Sequence, residues 1–130
     1  MALTYGTKTA FTISLNGLAN GSVAISNAVD NSTDLYQDYL IEVTIAGTAA
    51  TNAFCEVRIL PSMDGTNFAT WESGLRLGEV SLSVTPNTGT FSILNALWVS
   101  PKYFKIAVKN ATGAALSSSG NSASYQGIKQ

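Results

Sequence analysis

At 130 residues the chain has the length of one ordinary domain, enough to bury roughly two-thirds of the surface its unfolded form would expose. Seven basic and eight acidic residues, net −1, leave no positive field for nonspecific nucleic-acid binding; the absence of histidine removes the commonest general base, the usual zinc ligand and every Ser–His arrangement; and no stretch approaches the ~18 apolar residues of a membrane span. Charged residues are only 12%, about half the usual ~25%, so solubility rests on 15 serines, 14 threonines and 10 asparagines, a surface that costs less to desolvate and resembles the charge-poor centres of buried interfaces.

In chain order, two-residue alternation recurs and no segment sustains a helical period over three turns, which predicts an all-β domain. Phe11, Ile13 and Leu15 alternate with Thr12 and Ser14; Asn16-Gly17 and Asn20-Gly21 supply turns, and a second strand carries Val23 and Ile25. Residues 29–34 read as a loop. Tyr39 to Ala46 places Ile41, Val43 and Ile45 on one face, with Ala53 to Leu60 as its expected hairpin mate across the small-residue connection 47–52. That pairing sets Cys55, Val57 and Ile59 beside Ile41, Val43 and Ile45, and gives Glu42 and Arg58 a shared opposite face. Pro61 argues for an edge or a strand end, and Asp64-Gly65 predicts a hairpin leading into Thr66 to Trp71. Ser81 to Thr85 and Thr90 to Leu94 flank a turn at 86–89. Tyr103 to Asn110 sends Phe104, Ile106 and Val108 inward and Lys105 and Lys109 outward; Gly113 to Asn121 is a loop, and a last strand runs about Ser122 to Ile128. Eight or nine short strands favour a two-sheet antiparallel sandwich, jelly-roll or immunoglobulin-like, forming a single domain over 1–130 with a short arm (about 1–8) and a terminal loop plus strand (about 113–130).

The search for chemistry is mostly negative, and the expectation is a non-enzyme without cofactor or metal. Cys55 is the one cysteine and reads as a buried small apolar residue. Asp30, Asp34 and Asp38 are the densest acidic run, yet they lack the order that makes a calcium loop specific. Asp64-Gly65-Thr66-Asn67 is explained by its turn alone. Trp71 and Trp98, with Tyr36, Tyr39 and Tyr103, would suit a sugar-stacking platform, although core or interface packing accounts for them as well. Asn20-Gly21-Ser22, Asn31-Ser32-Thr33 and Asn110-Ala111-Thr112 match the glycosylation pattern, as chance provides in so polar a chain. The opening Met-Ala-Leu-Thr-Tyr-Gly lacks a basic segment leading into an apolar run, so synthesis and retention in a cytosol are expected. Chain ends fray unless something holds them, and Leu3, Tyr5, Tyr125 and Ile128 are expected to contact a partner, with edge-strand addition as the physical model.

The run Ile59-Leu60-Pro61-Ser62-Met63-Asp64-Gly65-Thr66-Asn67-Phe68, with the later Lys102-Tyr103-Phe104-Lys105-Ile106-Ala107-Val108-Lys109-Asn110-Ala111-Thr112-Gly113, resembles small β-sandwich structural proteins of tailed bacteriophages. The resemblance covers these two segments and the overall composition. It implies a virion protein made in the host cytoplasm, and the size suits a capsid decoration or cement protein. Such a protein sits outside the shell as a dimer or trimer and bridges major capsid subunits, with neither nucleic acid nor membrane as partner. Tail, head-completion and fibre-base proteins, and a carbohydrate- or receptor-binding module, stay open as alternatives.

Overall fold

The computed structural model describes residues 2–48, 53–82, 88–93 and 100–130, with 88–93 followed along the backbone. Ten strands form among them: β1 (Thr4–Tyr5), β2 (Thr9–Ala10), β3 (Val23–Ile25), β4 (Val29–Asp30), β5 (Asp38–Ala46), β6 (Phe54–Ser62), β7 (Leu75–Ser81), β8 (Thr88–Ile93), β9 (Tyr103–Asn110) and β10 (Ser122–Lys129). One sheet has the order β1-β10-β5-β8 with β2 also on β10, the other β3-β9-β6-β7 with β4 also on β9, and every pairing is antiparallel. Taking β1 with β2 and β3 with β4 as two interrupted strands gives eight, distributed between the sheets in the jelly-roll order. The chain is therefore an all-β, two-sheet antiparallel sandwich, and the immunoglobulin-like alternative falls away.

The interruptions are one-residue slips in register. Between β3 and β4 the slip is filled by Ser26, whose N–H donates to the Ile106 carbonyl at 2.9 Å while its hydroxyl accepts the Ile106 N–H at 2.9 Å, so the ladder stays satisfied across the break.

The core is a layer of β-branched and aromatic side chains between two nine-residue strands. Ile41, Val43 and Ile45 from β5 meet Cys55, Val57 and Ile59 from β6, and all six are fully buried. The expected hairpin between these strands does not form. β5 lies between β10 and β8, and β6 between β9 and β7, so the two strands face each other across the sandwich instead of pairing edge to edge. Alternation cannot separate the two arrangements, because both bury the same residues. A consequence is that Glu42 and Arg58 point away from opposite sides of the domain: Glu42 pairs with Lys8 at 3.2 Å, and Arg58 with Glu56 at 3.1 Å.

Three further expectations are corrected, and the register settles which way β3 faces. Residues 11–15 continue β2 without pairing as a strand, although Phe11 and Leu15 do reach the core. In β3 it is Ala24 that turns inward and Ile25 that is 50% exposed. The register sets this, since Ala24 stands opposite inward-facing Val108. Val29–Asp30, read as loop, pairs with Phe104 and Tyr103. Finally, Asp64-Gly65 does not close a hairpin, and Thr66 to Trp71 is not a strand.

The 63–74 segment instead folds back over the outside of its sheet. Trp71 lies 4.2 Å from the Arg58 guanidinium and Phe68 lies 4.4 Å from the Lys105 ammonium, both cation–π contacts. Gly74 packs against Leu60, which is 1% exposed. Tyr103 to Asn110 and Ser122 to Ile128 form strands as read, with Phe104, Ile106 and Val108 inward. The proposed turn at 86–89 and the ends of its flanking segments lie largely outside the described residues, as does Trp98.

Candidate functional site

The pairing registers place β4 and β6 ending, and β5, β7 and β9 beginning, at one end of the sandwich, where β1 and the end of β10 also lie. Five of the six large apolar side chains exposed among the described residues belong to this end: Leu3 (51%), Tyr5 (59%), Leu35 (67%), Met63 (91%) and Leu75 (56%). Scattered apolar exposure is ordinary, and its concentration at one end makes this end the candidate contact surface.

Two loops shape it. In the first, Asn31 is buried and its side chain clamps the backbone of Tyr36, accepting the Tyr36 N–H at 2.8 Å and donating to the Tyr36 carbonyl at 2.9 Å. The closed loop leaves Leu35 in the left-handed region, φ 55°, which costs a non-glycine residue of order 1–2 kcal/mol. Tyr36 in turn lies flat on Gly6 and Gly127, positions where any Cβ would collide with its ring. That contact ties the loop to the ends of β1 and β10.

The second loop is built around Asp64. Its carboxylate accepts the Thr66 and Asn67 N–H groups, both at 2.8 Å, the Asn67 side-chain amide at 2.8 Å, and the Ser62 hydroxyl at 3.0 Å. The Asn67 backbone and side-chain donors lead in holding this carboxyl well below the usual carboxylate range. Gly65, at φ 78°, turns the chain where Tyr103 ring carbons stand 3.1–3.2 Å from the place a Cβ would occupy.

Between the loops runs Lys102. It is shared by a cleft of about 490 Å³ walled by Leu35, Tyr36, Gln37 and Ser100, and one of about 480 Å³ walled by Pro61, Met63 and Pro101. Its ammonium sits 5.6 Å from the Tyr103 ring and forms no ion pair among the described residues. The side chains here offer hydrogen bonds, apolar contact and one cation.

The four expected partner-contact residues divide. Leu3 and Tyr5 are exposed. Tyr125 is half-buried against the core, its ring 4.7 Å from Phe11 and 6.1 Å from Tyr39, and Ile128 is 8% exposed, between Tyr5 and Asp38 in the sheet. Both chain ends are held by pairing within the domain, Thr4 with Lys129 and Tyr5 with Ile128. Sequence reading missed Leu35, Met63 and Lys102. A leucine and a methionine among turn-forming polar residues were the available signal.

The other candidates resolve structurally. Asp30 accepts the Ser32 N–H and hydroxyl, which hold its carboxyl low, and no group of three metal-binding side chains occurs among the described residues. Tyr39 is buried edge-on to Phe104 at 5.0 Å and to Tyr36 at 5.8 Å, core packing rather than a sugar platform. One face of Trp71 is covered by Arg58. Asn31 and Asn110 are buried, so two of the three glycosylation matches are closed to a glycan. Cys55 is buried, and burial pushes its thiol up to about 11.

No protein-family model matches the chain, and no curated protein matches it. Among solved structures it is similar to an exo-beta-1,3-galactanase from Phanerochaete chrysosporium with galactose, at 10% identity and a TM-score of 0.41, over 99% of this chain and 30% of that one. It is also similar to Desmodium yellow mottle tymovirus, at 17% identity and a TM-score of 0.39, over 98% of this chain and 85% of that one. The chain thus spans under a third of the galactanase. Likeness at these scores carries no statement about function, and the strand order rests on the hydrogen-bonding pattern itself.

Proposed function

We propose that this chain is a non-enzymatic structural protein of a virion, of the capsid decoration or cement kind, that binds the outside of a capsid and stabilises contacts between major capsid subunits. The observation that carries the reading is the ordered edge strand β1 with the residue before it, which leave Tyr5 and Leu3 exposed on a domain with only 12% charged residues. An edge strand with exposed apolar side chains is a template for a neighbour, through its free backbone groups and its side chains together. The jelly-roll order is one that capsid domains use, and lectin domains share it, so the fold supports the reading without assigning it. A ligand that binds only the assembled lattice stabilises it by mass action at each of many sites.

The test is co-sedimentation of the purified chain with particles that lack it. The wild type is expected to bind and to raise the temperature of genome release, and Leu3→Ser with Tyr5→Ser to lose both effects while keeping the wild-type melting temperature. Particles that neither bind the chain nor change their release temperature would sink the reading. Glycan binding abolished by Trp71→Ala would replace it with the carbohydrate-binding alternative.

A further inference from the structure

The β1–β2 edge of one sheet and the β4 edge of the other border a cleft of about 200 Å³, lined among others by Thr7, Thr9, Asp30, Asp34, Tyr39 and Tyr125. Tyr39 is 2% exposed, and its contacts are ring to ring, with Phe104, Tyr36 and Tyr125. Its hydroxyl makes no hydrogen bond among the described residues, yet no buried polar side-chain atom there lacks a partner. The oxygen therefore reaches open space, and the open space that Tyr39 borders is this cleft. An enclosed tyrosine ordinarily finds a partner for its hydroxyl within the protein; here the partner has to come from whatever enters the cleft.

The rim is negative. Among the described residues the Asp34 carboxylate makes neither an ion pair nor a hydrogen bond, and Asp30 uses only Oδ1, which accepts the Ser32 N–H and hydroxyl. The nearby cations do not pair with either: Lys129 gives its ammonium to the Asp34 carbonyl at 2.7 Å and stands 5.1 Å from the Tyr36 ring, and Lys102 acts on Asp30 from beyond ion-pair distance. Burial, then Tyr125, Asp34, Tyr36 and Asp30, raise the Tyr39 phenol above its ordinary value, so it stays a neutral hydroxyl whose oxygen can accept.

This donor set selects among ligands. A calcium ion takes six to eight oxygens, and no group of three metal-binding side chains occurs among the described residues. A sugar stacks on an open ring face, and the rings here are already engaged: Tyr36 lies on Gly6 and Gly127, Tyr125 packs 4.7 Å from Phe11, and Tyr39 is held among three rings. An alkylammonium brings three N–H donors and one positive charge on a narrow stem, which two carboxylates and a phenol oxygen can receive. A volume below that of clefts for drug-sized molecules suits it as well.

We infer that the cleft between the β1–β2 and β4 edges is a binding site for an alkylammonium group, received by the Asp30 and Asp34 carboxylates and the Tyr39 hydroxyl. A lysine side chain of another protein and a free small amine both carry this group. The inference does not depend on the particle role, which is read in a separate assay.

The experiment is a titration of the full chain followed by heteronuclear NMR, with n-butylammonium as the probe and n-butanol as its neutral counterpart, at low and high salt. The expected result is saturable shifts confined to the amides around the cleft with butylammonium, at a dissociation constant on the order of 1 mM that rises with salt, and none with butanol. Asp34→Asn and Asp30→Asn, the latter keeping the Oδ1 acceptor that Ser32 uses, should each weaken binding roughly fivefold or more, as loss of a charge-assisted contact predicts. Tyr39→Phe should weaken it too while the melting temperature holds or rises, since the hydroxyl removed has no partner inside the domain. Tighter binding of Nα-acetyl-lysine methylamide than of putrescine assigns the group to a protein side chain, and the reverse order to a free amine. No saturable shift up to about 50 mM, equal shifts with butanol, methyl glucoside bound in the cleft in place of the amine, or an affinity indifferent to both carboxylate variants would overturn the inference. So would a fall in melting temperature in Tyr39→Phe, which would place the hydroxyl's partner within the domain.

Discussion

Replacing Asn110 by alanine removes the side chain that closes one end of the sandwich. Asn110 is fully buried, donates to the carbonyls of Leu18 and Ala114, each at 2.8 Å, and accepts the Thr112 N–H at 2.9 Å and the Thr112 hydroxyl at 2.7 Å. The consequences differ by atom. The Leu18 carbonyl keeps the Leu116 N–H, and the Ala114 carbonyl keeps the Thr112 hydroxyl. The Thr112 N–H is left without an acceptor in a residue 6% exposed. One orphaned buried donor costs about 1–3 kcal/mol and each of the three other lost hydrogen bonds about 0.5–1.5, so the sum is roughly 2.5–7.5 kcal/mol. With unfolding entropy near 2.1 cal/mol/K per residue, about 0.27 kcal/mol/K for this length, the melting temperature should fall by roughly 9–28 °C. Urea and thermal unfolding measure it, and the double variant with Thr112→Val should be less than additive because the two residues share one network. A loss under about 1 kcal/mol, or strict additivity, would refute this account.

Gly127→Ala should destabilise by about 1–3 kcal/mol, because a Cβ there collides with the Tyr36 ring; the extra cost should shrink in a Tyr36→Ala background, checked by the same unfolding curves. The Asp64 carboxyl titrates below its unfolded value of 3.8, so its contribution is present above that pH and is lost as pH falls through the lower folded value. Acid unfolding followed by circular dichroism should therefore be less steep below about pH 4 in Asp64→Asn. Cys55, with its thiol pushed up to about 11, should resist thiol reagents at pH 8 and react at a rate set by unfolding; immediate labelling of the folded protein would show that the core opens at β6.

Much of this architecture is legible in the residues. The alternation in Tyr39–Ala46, Phe54–Leu60 and Tyr103–Asn110 fixes three strands and their inward faces, and the buried set Ile41, Val43, Ile45, Cys55, Val57, Ile59, Phe104, Ile106 and Val108 follows from it. The Ser62–Asn67 and Asn110–Gly113 segments, on which the phage resemblance rests, turn out to be hydrogen-bonded loop closures. They explain local structure and leave function open. The contact end was half visible: Leu3 and Tyr5 could be picked out near the chain start, while Leu35 and Met63 gain meaning only when distant loops converge on Lys102.

Local pattern, then, determined the long strands β5, β6 and β9 with their apolar faces, and that the exterior is sparsely charged. Tertiary structure alone decided that β5 and β6 oppose each other across two sheets, that Ala24 and not Ile25 turns inward, and that segment 63–74 lies over Arg58 and Lys105. The physical reason is that alternation carries the direction of a side chain relative to its own strand and nothing about the neighbouring strand. Partner and register are set by hydrogen bonds between segments as far apart in the chain as Thr4 and Lys129.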